Sequence, residues 1–322
     1  MVYKPPIFLI GHFRSGTTIL WNTFSNSSYF TAYYEPLHPH LLTLIPSKNT
    51  KASHRNVKDY WFDYRQHTEL IKNLHSVDFA TERLFLAEKE SWEELEIYLR
   101  TLIKIRKTNS QAVLGLNRVG LRIKWLRKTF PDALILGICR ESRQQYMSLR
   151  EHIPDPYHLD AWYPDAYEHP FWLAELIPYF PFLYENRSAH PYYSIYLILR
   201  LIREQLQENA DYIFDITENV QKRPESFLQT LSTFLNLPRK AFNQKEKDIV
   251  QTSPYVIPEE ENRLLASIEQ NIEDKLALSS ASILKGITKP TQSNALREQM
   301  YLTKKHLKYT LDYQRQLTEV NK

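Results

Sequence analysis

Between Ile7 and Phe24 the stretch IFLIGHFRSGTTILWNTF sets two glycines, Gly11 and Gly16, around a short polar loop, with Thr17 and Thr18 at its exit. Gly11-x-x-x-x-Gly16-Thr17-Thr18 is the spacing of a loop that wraps a phosphate. Small residues let consecutive backbone N–H groups face an anion, and the following helix offers its N-terminus. The lysine that such loops carry after the second glycine is absent, and Thr17 stands in its place. Arg14, in the same loop, has a forked and permanently charged head suited to an oxyanion, so it is the candidate replacement. The chain holds only six glycines, which makes a pair bracketing one loop informative. Further titratable side chains follow in YYEPLHPH, namely Glu35, His38 and His40. An H-x-H pair on a Pro-broken loop reads as polar loop rather than as a metal site.

Such a loop needs a strand before it and a helix after it. Five apolar runs read as strands: Ile7–Ile10, Tyr29–Tyr34, Ala112–Leu116, Ala133–Ile138 and Tyr212–Asp215. Helical patterns at Thr17–Ser25, Trp92–Lys107, Leu121–Thr129, Ser142–His152 and Tyr192–Asn209 separate most of them. The alternation predicts an α/β fold, a P-loop-like parallel β-sheet flanked by helices, with ligands at the carboxyl ends of the strands. Residues 1–290 are expected to form one domain, with 38–110 too long for a crossover and therefore a helical insertion. Residues 153–191 are dense in Pro, Tyr and Trp and predict an ordered wrapping segment. Residues 291–322 form a helical tail, whose Leu296, Met300, Leu307 and Leu311 share one side. That side docks on the body or on a second subunit, so a homodimer is one expected arrangement.

Composition bounds the partners. Of 322 residues, 43% are hydrophobic and 24% charged, which describes a globular chain. A formal charge of +4 makes no demand for nucleic acid and allows a basic pocket for an anionic ligand. No apolar run approaches membrane-spanning length. The one cysteine, Cys139, leaves no internal disulfide, and the first strand begins too early for a secretory leader, so a cytoplasmic location is expected.

RSGTT after an apolar strand resembles the first signature, P-[KR]-S-G-T-T, of the sulfotransferase superfamily, whose donor is 3′-phosphoadenosine 5′-phosphosulfate (PAPS). The resemblance implies that Arg14, Ser15, Gly16, Thr17 and Thr18 hold the 5′-phosphosulfate. Phe13 departs from the family's proline, a change expected to loosen the loop. FPDALILGICRESRQQYMSL resembles the second signature, with Arg140 at a strand end and Ser148 eight residues later. In the family this pair grips the donor's 3′-phosphate, and an arginine and a hydroxyl so placed can converge on one phosphate. Arg143 falls where the family commonly has a second arginine. TENVQKRPESFLQTLSTFLNLP resembles a later family segment, and Lys285-Gly286 echoes a basic-glycine element near the nucleotide. YYEPLHP looks like the Y-E-P-[LV] stretch of carbohydrate-type members. The resemblance thus implies sulfuryl transfer from PAPS, with its bisphosphate as product and without a metal, to a hydroxyl of a carbohydrate or other small-molecule acceptor. Segments 38–110 and 153–191 match poorly, where the family varies with acceptor, and so are expected to form the acceptor side.

That chemistry needs a base for the acceptor hydroxyl and a cation for the leaving phosphate. Arg14 is the expected cation. Glu35 follows the second strand, and Pro36 stops the strand there, so its carboxylate is the expected base. Some sulfotransferases place a histidine after the third strand, where this chain has Asn117-Arg118. His38 and His40 are the reserves, and an ion pair with Arg118 is the structural alternative for Glu35. Two other functions compete. In a P-loop nucleotide-dependent kinase, Asp215 at the end of YIFD would imitate a metal-binding carboxylate. In a non-catalytic nucleotide-binding protein, no carboxylate at the donor's mouth is needed.

Overall fold

The computed structural model describes residues 4–47, 57, 59–151, 169–185, 190–242, 249, 254–278, 298, 300–305 and 308. Most of the 153–191 segment outside 169–185, Lys285-Gly286 and most of the 291–322 tail therefore lie outside the described residues.

Strand β1 (Ile7–Ile10) is apolar and buried at every position, as a strand covered on both faces must be. It sits in the middle of a sheet with β2 (Phe30–Tyr33), β3 (Gln111–Leu116), β4 (Leu134–Cys139) and β5 (Tyr212–Asp215). The order is β2-β3-β1-β4-β5, and every neighbouring pair is parallel. Ile7 is in register with Val113 on one side and Leu134 on the other. The chain leaves β1 toward one edge and β4 toward the other. Their loops diverge and open a crevice at the carboxyl ends of these two strands, the usual ligand site of such sheets.

The helices are α1 (Thr17–Ser25), α2 (Leu41–Leu44), α3 (Thr68–Leu74), α4 (Asp78–Thr81), α5 (Glu93–Lys104), α6 (Ile123–Thr129), α7 (Ser142–Arg150), α8 (His169–Leu176), α9 (Phe182–Glu185), α10 (Tyr192–Asn209), α11 (Pro224–Phe234) and α12 (Glu259–Leu278). All five expected strands form, with ends within one residue. Three helices start or stop short of expectation, α7 ending at Arg150 and the other two for local reasons. Leu121 is drawn into a parallel bridge with Phe85, so α6 begins at Ile123. Past α5, the Arg106 guanidinium donates to the carbonyls of Ile103 (2.8 Å) and Ser110 (3.0 Å), which turns the chain into β3.

Between β2 and β3 the chain forms α2 to α5 and a 3₁₀ turn, Phe62–His67. Arg122, fully buried, pins this stretch by donating to the carbonyls of Arg83 (2.8 Å), Phe79 (2.9 Å) and Glu82 (2.7 Å). Its guanidinium also lies over the Trp92 ring, 5.1 Å from the centroid. Two tyrosines from the same stretch hold the end of β2. Tyr64 donates to the Tyr34 carbonyl (2.7 Å) and Tyr98 to that of Pro36 (2.9 Å), so the residue between them, Glu35, is held from both sides.

At the far end, residues 298, 300–305 and 308 are helical. Met300 is buried, and Lys304 bridges Glu82 (2.7 Å) and Glu175 (2.8 Å), so this piece rests on its own chain. Among the described residues, no helix is long and apolar enough to cross a membrane.

Candidate active site

The loop after β1 is tight enough to exclude any side chain at its first position. A Cβ on Gly11 would lie 2.5 Å from Ser15 Oγ and 2.6 Å from the Ile138 carbonyl oxygen. Ser15 closes the turn, its N–H (3.2 Å) and hydroxyl (2.7 Å) both donating to the His12 carbonyl. Arg14 (φ 63°) and Gly16 (φ 99°) are left-handed, which costs a non-glycine residue and marks Arg14 as held under strain. Gly16 is the N-cap of α1, with no side-chain cap and no acidic residue in the first turn. Ile19 and Leu20 donate to the Gly16 carbonyl, and no side chain caps the Thr17 and Thr18 amides, which suit an anion.

Arg14, Arg140 and Ser148 come together across this crevice. Arg14 Nε donates to Ser148 Oγ at 2.9 Å. The Arg140 guanidinium reaches the Arg14 carbonyl at 3.5 Å, the limit of a hydrogen bond. Arg140 Nε is buried and has no hydrogen-bond partner among the described residues. A charged group in that state is expected to meet a ligand. The Tyr255 ring covers the guanidinium, 5.5 Å away, and its hydroxyl donates to Glu151 (2.7 Å). Arg143 takes a different role. It makes a two-pronged bond to Glu269 of α12 (3.0 and 2.7 Å) and a third bond to Asn262 (2.6 Å), tying α7 to α12.

Glu35 sits at the end of β2 with a left-handed backbone (φ 39°). Its Oε1 accepts from Asn117 Nδ2 (2.9 Å) and its Oε2 from Arg118 Nη1 (2.8 Å). The Arg118 side chain is only 3% exposed. At least two acceptor sites of the carboxylate are thus engaged, out of about four that it owns. Arg118 in turn stacks on Phe13, 4.8 Å from the ring centroid. Phe13 does not loosen the loop. It is buried, and its carbonyl accepts from Gln145 Nε2 of α7 at 2.7 Å. Next to Glu35, the Tyr34 hydroxyl meets Thr18 Oγ1 at 3.0 Å, joining the end of β2 to the start of α1. Burial raises the Tyr34 phenol well above its ordinary range, so it stays protonated.

Burial holds three histidines, His38, His12 and His169, in the neutral form. Burial, with the charges of Arg118, His40 and His75, pushes His38 well below the usual imidazole value. Its Nδ1 accepts from the His40 amide at 3.1 Å, which fixes it in the loop. Burial, helped by His169 and Arg118, lowers His12 to about 3, and burial lowers His169 to about 4. The unfolded chain takes up protons on both near pH ~6.5, whereas the folded chain does not. Stability is therefore complete above about pH 6.5 and is lost as the pH falls toward 4, by about 1.4 kcal/mol per unit for each group. Urea unfolding at pH 7.5 and 4.5 should show this loss together with proton uptake.

Sequence reasoning offered the Glu35–Arg118 ion pair as the structural alternative for Glu35, and that pair forms, whereas Asn117 was named without a task. Their contact with Glu35 follows from β2 and β3 being neighbours in the sheet, which no spacing in the chain reveals. Tyr255 carried no signal.

Residues 5–176 match the sulfotransferase family, so the chain belongs to that family. The match spans the loop after β1, the end of β2 and the Arg140–Ser148 junction. The chain is similar in structure to a sulfotransferase from Alicyclobacillus acidocaldarius, with 16% identity over 86% of this chain and 96% of that one and a TM-score of 0.41. It is also similar to the sulfotransferase domain of the Synechococcus PCC 7002 olefin synthase, with 15% identity over 96% of this chain and 95% of that one and a TM-score of 0.32. A comparison with curated proteins returns no match.

Proposed function

We propose that the protein transfers the sulfuryl group of PAPS to a hydroxyl of a carbohydrate or other small-molecule acceptor. The observation that carries the reading is the convergence of Arg14, Arg140 and Ser148 on the crevice between β1 and β4. The residues present fit such a donor. Arg140 and Ser148 hold the 3′-phosphate, with the unpartnered Arg140 Nε as one donor. Ser15, Gly16, Thr17 and Thr18 offer amides and hydroxyls to the 5′-phosphosulfate. Arg14 spends Nε on Ser148 and keeps its Nη protons for the same group.

The donor supplies a sulfuryl group on a phosphate leaving group, and the chain's residues do the rest. Glu35 takes the proton of the acceptor hydroxyl as its oxygen forms the new bond to sulfur. The bond from sulfur to the 5′-phosphate oxygen breaks, and Arg14 with the α1 amides meets the electron pair left there. Asn117 and Arg118 aim the Glu35 carboxylate and leave it lone pairs for the hydroxyl.

The kinase reading loses its carboxylate. Asp215 Oδ1 accepts from the amides of Thr217 and Glu218 (2.9 Å each), capping the π-helical turn Ile216–Gln221, and β4 separates its strand from β1.

Arg140→Ala should weaken PAPS binding about ten- to a hundredfold, the worth of a charge-assisted contact. It should barely alter binding of an analogue without the 3′-phosphate, and equal losses would refute the assignment. Transfer of radiolabelled sulfate from PAPS to a panel of sugars, phenols and lipids tests the reading as a whole. Stabilisation by ATP–Mg²⁺ but not by adenosine 3′,5′-bisphosphate would favour the kinase.

A further inference from the structure

Three buried polar atoms have no hydrogen-bond partner among the described residues: Asn117 Oδ1, on the residue that holds Glu35, and His12 Nδ1 and Trp172 Nε1. Their residues are 5%, 5% and 0% exposed. They are linked by a short chain of contacts. Asn117 holds Glu35, and its chain neighbour Arg118 holds the same carboxylate and lies on Phe13. Phe13 touches the His12 ring (centroids 4.9 Å apart), and His12 meets Trp172 edge-on at 5.3 Å. The chemistry of each atom is fixed by its surroundings. Asn117 gives its N–H to a carboxylate, so its free atom is the carbonyl oxygen, an acceptor. The Trp172 indole can only donate. His12 is neutral, and its Nδ1 takes either role with its tautomer.

We infer that His12, Asn117 and Trp172 form the acceptor-recognition shelf, and that the acceptor is neutral and carries at least two hydroxyl groups. The inference rests on the reading of Glu35 as the base beside which the acceptor lies. A hydroxyl both donates and accepts, so it can satisfy an indole N–H, an amide oxygen and either imidazole tautomer. A carboxylate or phosphate only accepts and would face the Asn117 oxygen lone pair to lone pair. An ammonium only donates and would lie beside Arg118. One hydroxyl, as on a simple phenol or alcohol, cannot reach Glu35 and also meet three further atoms, and each buried polar atom left unmet weakens binding. All three atoms are closed to solvent, so the acceptor displaces neighbouring side chains to reach them.

The test is binding, with and without adenosine 3′,5′-bisphosphate. Methyl β-glucoside, benzyl alcohol and benzoate are titrated into the wild-type protein and into Trp172→Phe, which removes one N–H and keeps a ring. The glucoside should bind best, and Trp172→Phe should weaken it about five- to tenfold while nucleotide and benzyl alcohol affinities stay unchanged. A measurement on the wild type needs no variant. The ¹⁵N signal of His12 Nδ1 should move on adding glucoside and stay still with benzyl alcohol. Glucoside binding that is no tighter than that of benzyl alcohol or benzoate, an unmoved His12 signal, or a Trp172→Phe loss confined to the nucleotide would each overturn the shelf. Glucoside binding without any nucleotide binding would support the shelf and count against PAPS as the donor, so the two failures are separable.

Discussion

Glu35→Gln is expected to cut turnover by about 10²–10⁴ while PAPS binding stays near normal, because the change keeps the shape and removes the proton acceptor. Glu35, the proposed base, is one member of a buried trio with Asn117 and Arg118, and Arg118 leans on its charge. The same substitution therefore lowers stability by up to about 3–5 kcal/mol, the usual cost of leaving a buried charge without its partner. Turnover and stability must be measured on the same preparation. Rates are compared at a temperature where circular dichroism shows both proteins folded, with the affinity for adenosine 3′,5′-bisphosphate as the check on the donor side. If Glu35→Gln loses stability and keeps its rate, the carboxylate is a strut for Arg118 and the base lies elsewhere. His38→Ala is then the next variant to assay, with an inactive result assigning proton transfer to the imidazole.

Arg14→Ala is expected to lower kcat by about 10²–10³, the range for removing one preorganised donor from developing negative charge. On the proposed reading donor affinity should fall by less, since the loop amides and Arg140 would still hold both phosphates. The left-handed backbone at Arg14 sharpens the comparison, because alanine retains the Cβ and with it the strain, so the two proteins differ in the guanidinium alone. Arg14→Lys should recover only part of the rate. An ammonium cannot hold Ser148 Oγ through an Nε and present further protons in a fixed fork at the same time. A loss of affinity with kcat unchanged would make Arg14 a binding residue.

The parts of this site that could be read from the chain are those coded over a few residues. Glycine spacing announced the loop because only glycine leaves room against Ser15 and Ile138. Arg140 and Ser148 could be read as a pair because a strand end and two turns of helix fix their separation. The strands were legible for the same reason, each being a short run bounded by polar residues. What escaped depends on elements far apart in sequence. The engagement of Glu35 by Asn117 requires knowing that β2 lies beside β3. Arg143 falls where the family commonly has a second arginine, and nothing local announced that it holds Glu269 on α12, more than a hundred residues on. Phe13 in place of proline suggested slack, whereas stacking under Arg118 and a bond from Gln145 make it an anchor. Asp215 resembled a metal-binding carboxylate and is consumed by capping the turn that follows it.

The central place of β1 has a consequence for how the protein is made. Ile7 pairs with Val113 on one side and Leu134 on the other, so the strand that carries the phosphate loop has no partner among its near neighbours in the chain. A ribosome that has released β1 but not yet β3 has exposed a wholly apolar strand and the loop that depends on it, with neither flanking strand yet available. Closing such long chain loops carries an entropy cost before any contact compensates for it, which makes sheets of this kind slow to form and open to aggregation on the way. The loop can take its shape only after β3 and β4 have emerged, so a strand made before both of its neighbours becomes competent only after them.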